Sequence, residues 1–286
     1  MVGKRTLAGY SLNATRTNPL YTVAVYALQD EDKLFLGRDA WWYADTIVRH
    51  SISAWTGETV AAEAAVVLNV WMGLATDLFN IASRCRKNRI KGDDGLRLVD
   101  GVVAYWIGDG QVVGDSSKGH LLYAMAELMG EKFQSELAGQ ARLNTNILGL
   151  LNEAKIAVSL PDACAVPSTV RRVRHLVNKI VSQMIGVSIQ GLIDSVLTGD
   201  KNRAFVYAHA EVPLVSACNP RTFAFLKDRL LNGPFEESAA ADIVQAIRST
   251  LPCFSLLCED IGQHETEQQL MCTNIQVTTP MAGYTP

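Results

Sequence analysis

Along most of the chain, apolar residues recur three and four positions apart, the period of one helix face. From Asp39 onward the stripe Trp41, Ala44, Ile47, Val48, Ile52 and Trp55 predicts a helix with Asp39 as N-cap, broken at Gly57. Residues 59–85 predict a long alanine-rich helix ending in Arg84, Arg86, Lys87, Arg89 and Lys91 before Gly92. Cations there complement the helix macrodipole, so the basic run reads as a helix terminus. Residues 96–107 fit helix or strand, because Val102, Val103, Tyr105 and Trp106 suit strands. A glycine-rich loop spans 108–119. Helical period returns over 120–133 through Leu121, Leu122, Met125 and Leu128, and again over 135–156.

Pro161 and Pro167 make 160–168 the best linker in the chain. Ser168 is the expected N-cap of the next helix, whose stripe is Val170, Val173, Val177, Ile180, Val181, Met184 and Ile185. Residues 202–218 predict a helix kinked or ended near Pro213. Asn219 and Pro220 supply a cap and a proline at the first helical position, with Gly233 closing that segment. Residues 236–251 are amphipathic and stopped by Pro252. Residues 1–20 read as an irregular arm, 21–29 as a short apolar run of either type, and 262–286 as a polar, poorly ordered tail. The expected fold class is therefore all-α, a multi-helix bundle, with helical halves at 21–160 and 168–261. An offset of 133 residues aligns Ile47-Val48 with Ile180-Val181, Asn69 with Asn202 and Cys85 with Cys218. Two duplicated halves would follow if 46–85 and 179–218 form equivalent helix pairs.

Composition narrows the classes. The chain is 48% hydrophobic, enough for a sizeable core, while charged residues reach only 19%. With 26 basic and 29 acidic residues the net charge is −3, which argues against nucleic-acid binding through global charge. The apolar stretch 60–83 is interrupted by Glu63, Asn69 and Asp77, which argues against a membrane span. Lys4 and Arg5 are followed by a polar segment, so no secretory signal is expected in this chain; a secreted or organelle-lumen protein would need one removed upstream. The six cysteines, with no CxxC pair, read first as buried thiols and second as disulfides of an oxidising compartment, with a metal site last. Asn13-Ala14-Thr15 is a glycosylation sequon that matters only in a secreted chain.

Motifs with known mechanics are missing: no phosphate loop, no HExxH, no GxSxG elbow and no ExxH pair of a di-iron bundle. In the loop from Gly108 to His120, glycines would let backbone N–H groups approach an anion, with Lys118 as a point charge and His120 at the next helix start. Ordinary turn chemistry explains the same residues. Arg171, Arg172, Arg174, His175 and Lys179 crowd a helix start, where cations oppose the macrodipole. Such a broken local rule marks a candidate site for an anion or an acidic partner, unless carboxylates elsewhere pair with these arginines. His209 and Glu211, two positions apart, do not share a helix face, whereas Asp260, His264 and Glu267 fall at helical spacings. Trp41, Trp42, Trp55, Trp71 and Trp106 read as core, or as the lining of a pigment or haem pocket.

The stretch from Ala104 through Tyr105, Trp106, Ile107, Gly108, Asp109 and Gly110, followed by Gly119 through Glu127, resembles a segment that recurs in uncharacterised helical proteins of diatoms and related algae. The resemblance implies a helical fold and an algal origin; exported members of that family favour disulfides. The expected function is non-enzymatic: a protein-interaction or assembly subunit, with Arg171, Arg172, Arg174, Lys118 and His120 as the candidate anion- or partner-binding residues. The alternatives are a small-molecule, pigment or metal carrier, with some of His50, His120 and His209 as ligands, and an enzyme with an anion-binding loop. No cofactor and no metal ligand set is assigned.

Overall fold

The computed structural model describes Ala8 and residues 34–53, 58–91, 93–216 and 218–266. Apart from two short antiparallel hairpins the architecture is an all-α multi-helix bundle. The first hairpin, β1 (Leu34–Phe35) and β2 (Arg38–Asp39), leads through a 3-10 turn into α1 (Tyr43–Ser53). Asp39 caps that turn, accepting the Trp41 N–H at 2.9 Å. α2 (Glu58–Arg86) runs unbroken, with π-helical geometry over Ala65–Val70, and α3 (Asp94–Ile107) follows. α4 (Leu122–Lys132) precedes the second hairpin, β3 (Glu136–Leu137) and β4 (Gln140–Ala141). Then come α5 (Arg142–Ser159), α6 (Pro167–Leu197) and α7 (Lys201–Val215). α8 (Pro220–Leu226) winds on in π geometry to Leu231, and α9 (Ala240–Arg248) and α10 (Cys258–Ile261) complete the order.

α6 is the hub. Its 31 residues span about 46 Å at 1.5 Å per residue. From Met184 to Val196 every residue is buried, so this half of the helix is enclosed on all sides by its neighbours, chiefly α5, α7 and α2. Gly191 makes the α6–α7 contact possible: a Cβ there would run into the Tyr207 ring. Both α2 and α6 are long and apolar enough to cross a membrane by length and composition; within the bundle, 78% and 83% of their most apolar windows are buried.

Several expectations need correction. The 96–107 segment, which fits helix or strand on its sequence, is helical, because Val99, Val102 and Trp106 share one buried face at helical spacing and that packing outweighs strand propensity. The long helix α6 starts at Pro167 with Val166 as cap, not at Ser168; proline fits the first helical position, where no N–H partner is required. Ile52, placed on the buried stripe of α1, is 64% exposed, and the face instead turns inward through Tyr43, Ala44 and Ile47. Asp260 and His264 lie on either side of a break at Gly262 (φ +77°) and share no helix. Trp55, Gly57, the 1–20 arm apart from Ala8, the 21–29 run and residues 267–286 of the tail, with Glu267 and Cys272, lie outside the described residues.

The 133-residue offset does not pair helices. The α6–α7 turn, residues 198–200, maps to residues 65–67 inside α2. The 160–168 linker turns the chain between α5 and α6, and one core runs through both proposed halves. Buried thiols give way to disulfides: Cys85 joins Cys164 and Cys218 joins Cys253, with Cα–Cα distances of 5.0 and 5.7 Å, and Cys258 is disulfide-bonded too.

Candidate functional site

The Cys85–Cys164 bond fastens the C-terminal end of α2 to the turn from which α6 starts. The basic run after α2 and the arginines that open α6 therefore lie at one end of the bundle. The α3 start and the α5 end belong to the same end, since Gly95 sits against Val158 and Lys155 reaches Asp100 at 2.7 Å. Four cations there have carboxylate partners: Arg84 with Asp94 at 3.3 Å, Lys91 with Asp162 at 2.9 Å, Lys155 with Asp100, and Arg172 with Glu153 at 3.4 Å. Arg174 is half-buried and also interacts. Arg86, Lys87, Arg89 and Arg171 are exposed and make no ion pair among the described residues.

Lys118 and His120, the other two candidate residues, sit past the opposite end of α3, about a 21 Å helix length away. The five residues do not converge. The loop that carries Lys118 and His120 satisfies much of itself: Asp115 accepts the Ser117 N–H at 2.9 Å and its hydroxyl at 2.6 Å, which holds the Asp115 carboxyl below its usual range. Asp109 accepts the Gly110 N–H at 3.0 Å, and the Gln111 amide donates to the Val112 and Asp115 carbonyls.

The densest charge cluster is one that sequence reading missed. Asp194, on α6, is fully buried and accepts Lys132 Nζ at 2.9 and 3.0 Å, Arg203 at 2.8 Å and His264 Nε2 at 3.1 Å. Arg203 also donates to Glu63 at 2.9 Å, which ties α2, α4, α6, α7 and the C-terminal segment into one knot. Burial alone would raise the Asp194 pKa, but the hydrogen bonds from Lys132 and Arg203 and the Lys132 charge outweigh it and the carboxyl is pushed down. Helical period marks α6 as core, yet nothing local shows that a carboxylate at 194 meets residues 62 positions before it and 70 after it.

His209 is buried, with Nδ1 2.8 Å from the Phe205 carbonyl, and burial pushes its pKa down to about 4. Burial likewise raises Glu211 well above the carboxylate range, offset in part by the Ser188 hydroxyl. Trp106 donates to Asn144 at 3.0 Å, and Asn144 donates to Glu127 at 2.6 Å. Trp71 and Trp106 are thus core residues. Among the described residues no three His, Cys, Asp or Glu gather as a metal set, and His50, His120 and His209 do not form one. His50 does line a cavity of about 430 Å³ with Lys201, Phe205, Leu230, Leu231 and Phe235. A second cavity, about 470 Å³, lies between α5, α6 and the segment before α10, with Asn146 bridging Gln183 and Asp260 at 3.0 and 3.1 Å. Comparison with known proteins finds no family model, no curated protein and no solved structure that matches this chain.

Proposed function

We propose that this chain is a non-enzymatic helical subunit that works by binding protein, with its contact surfaces at the two ends of α5. The observation that carries the reading is that six exposed aliphatic side chains gather at these two ends, while Leu36, Ile52, Leu128 and Leu257 are exposed elsewhere. At the end where α5 begins, exposed Val112 and Val113 (67%) precede Gly114, which packs against the Gly139 carbonyl of the hairpin that carries exposed Leu137. At the other end Ile156, Leu160 (70% exposed) and Val166 surround the α5–α6 turn. The 18 residues of α5 hold these patches about 27 Å apart. Aliphatic groups gathered this way favour a covering partner, whereas scattered ones need no explanation. Asp194, Arg203, His264 and Glu127 are engaged in joining elements of the bundle. The disulfides favour an oxidising compartment.

Light scattering on the isolated chain and mass spectrometry of native co-purifying material test this. A defined oligomer or a stoichiometric partner is expected; a clean monomer with no partner overturns it. A small-molecule carrier is the second reading, favoured by the His50 cavity with its apolar floor. An absorption spectrum and native mass of the purified protein decide it, because a carrier would retain added mass.

A further inference from the structure

We propose that the bundle end stapled by Cys85–Cys164 docks an acidic protein segment studded with apolar side chains. The proposal rests on the protein-binding reading above and names the partner's chemistry. Residues 84–100 and 153–175 hold ten Lys and Arg against five Asp and Glu, although the whole chain is net acidic at −3. Like charges so close repel one another, and the arginines of α6 add to an already positive helix start. The disulfide holds the two cationic segments together against that repulsion, with its Cα atoms 5.0 Å apart. Arg86, Lys87, Arg89 and Arg171 project from this surface without an ion pair among the described residues, beside exposed Ile156 and Leu160.

A partner supplying carboxylates to the first group and apolar side chains to the second would relieve both the repulsion and the exposure. An anionic bilayer fits less well. The four cations without an ion pair among the described residues are set among the pairs Arg84–Asp94, Lys91–Asp162, Lys155–Asp100 and Arg172–Glu153, a mixed pattern that a peptide with discretely placed carboxylates can match and a uniformly negative sheet cannot.

The test uses the oxidised full chain and a fluorescein-labelled peptide of Glu and Asp with Leu at helical spacing. Binding read by anisotropy is expected to weaken about tenfold in the combined variant Arg86→Glu, Lys87→Glu, Arg89→Glu and Arg171→Glu. It is expected to be unchanged in Arg221→Glu with Arg229→Glu, exposed cations elsewhere. Should the combined variant fail to fold, Arg171→Glu alone and a salt titration of the native chain decide the matter, because screening across about a Debye length removes a docking driven by charge. Equal weakening in both variants, or no peptide binding at low salt, overturns the proposal. So does binding to phosphatidylserine vesicles alone, or a dimer that the charge reversal dissolves, which would make a second copy the occupant. If a native partner co-purifies while the acidic peptide fails, the acidic-partner inference falls and the protein-binding reading stands.

Discussion

Asp194 shows at the residue scale how much one buried carboxylate organises. With Lys132, Arg203 and His264 all directed at it, its removal leaves Lys132 and His264 Nε2 without this carboxylate and Arg203 with Glu63 alone. Asp194→Ala is expected to cost about 3–5 kcal/mol in urea denaturation, and Lys132→Met with Asp194 kept to cost less, because Arg203 still pairs with the carboxylate. His209 and Glu211 act oppositely with pH. His209 titrates near 4 in the fold against an ordinary 6.5, so the unfolded chain takes up its proton first. Its contribution is complete above pH 6.5 and is lost as pH falls toward 4, about 3 kcal/mol in all. Glu211, raised in the fold above an ordinary 4.5, stabilises fully below pH 4.5 and loses that contribution as pH rises toward its folded value. Glu211→Gln should therefore raise the melting temperature more at pH 8 than at pH 4.5, while His209→Gln should flatten the decline between pH 6.5 and 4. Melting curves across that range measure both, and parallel curves for mutant and native chain would refute the assignments.

At the scale of elements, two helical glycines separate packing from propensity. Gly149 on α5 has open space where a Cβ would go, so Gly149→Ala is expected to stabilise by about 0.5–1 kcal/mol through helix propensity. Gly191 on α6 faces the Tyr207 ring, and Gly191→Ala should instead destabilise by about 1–3 kcal/mol, as overpacked cores do. Chemical denaturation of the pair gives opposite signs, and two changes of like sign would contradict the packing at α6–α7. Helical elements were legible where the 3.6-residue period was strong: Asn219 accepts the Thr222 N–H at 3.1 Å ahead of Pro220, as the local chemistry predicts. They were illegible where tertiary burial overrode a local preference, as at Val102 and Trp106. Of the candidate site, the arginines of α6 were visible as a broken dipole rule. Their meeting with Arg86, Lys87 and Arg89 was not, because it depends on a disulfide closing 79 residues of chain. Cysteine spacing alone does not encode which pairs form.

At the scale of the whole molecule, that disulfide couples stability to charge layout. Closing a loop of 79 residues lowers the entropy of the unfolded chain by about 4–5 kcal/mol in the loop-closure model, so its reduction should loosen the same end that carries the cations. The excess of five positive charges there leaves the rest of the sequence with eight more acidic than basic residues. One end of the bundle is thus more basic than the chain as a whole, and a charged surface that meets this end responds to the local excess more than to the net charge. The chain is therefore expected to be retained on a cation exchanger at pH 7.5, above its sequence pI of about 6.0, and to elute at modest salt because the patch is exposed. The Arg86, Lys87, Arg89 and Arg171 reversal should pass through that column, while Lys118→Glu should elute with the native chain. Prior reduction should weaken retention if the two cationic segments separate once Cys85 and Cys164 part. Flow-through of the native oxidised chain would mean that the local excess is neutralised by acidic residues elsewhere on the surface, and the docking end would lose its electrostatic basis.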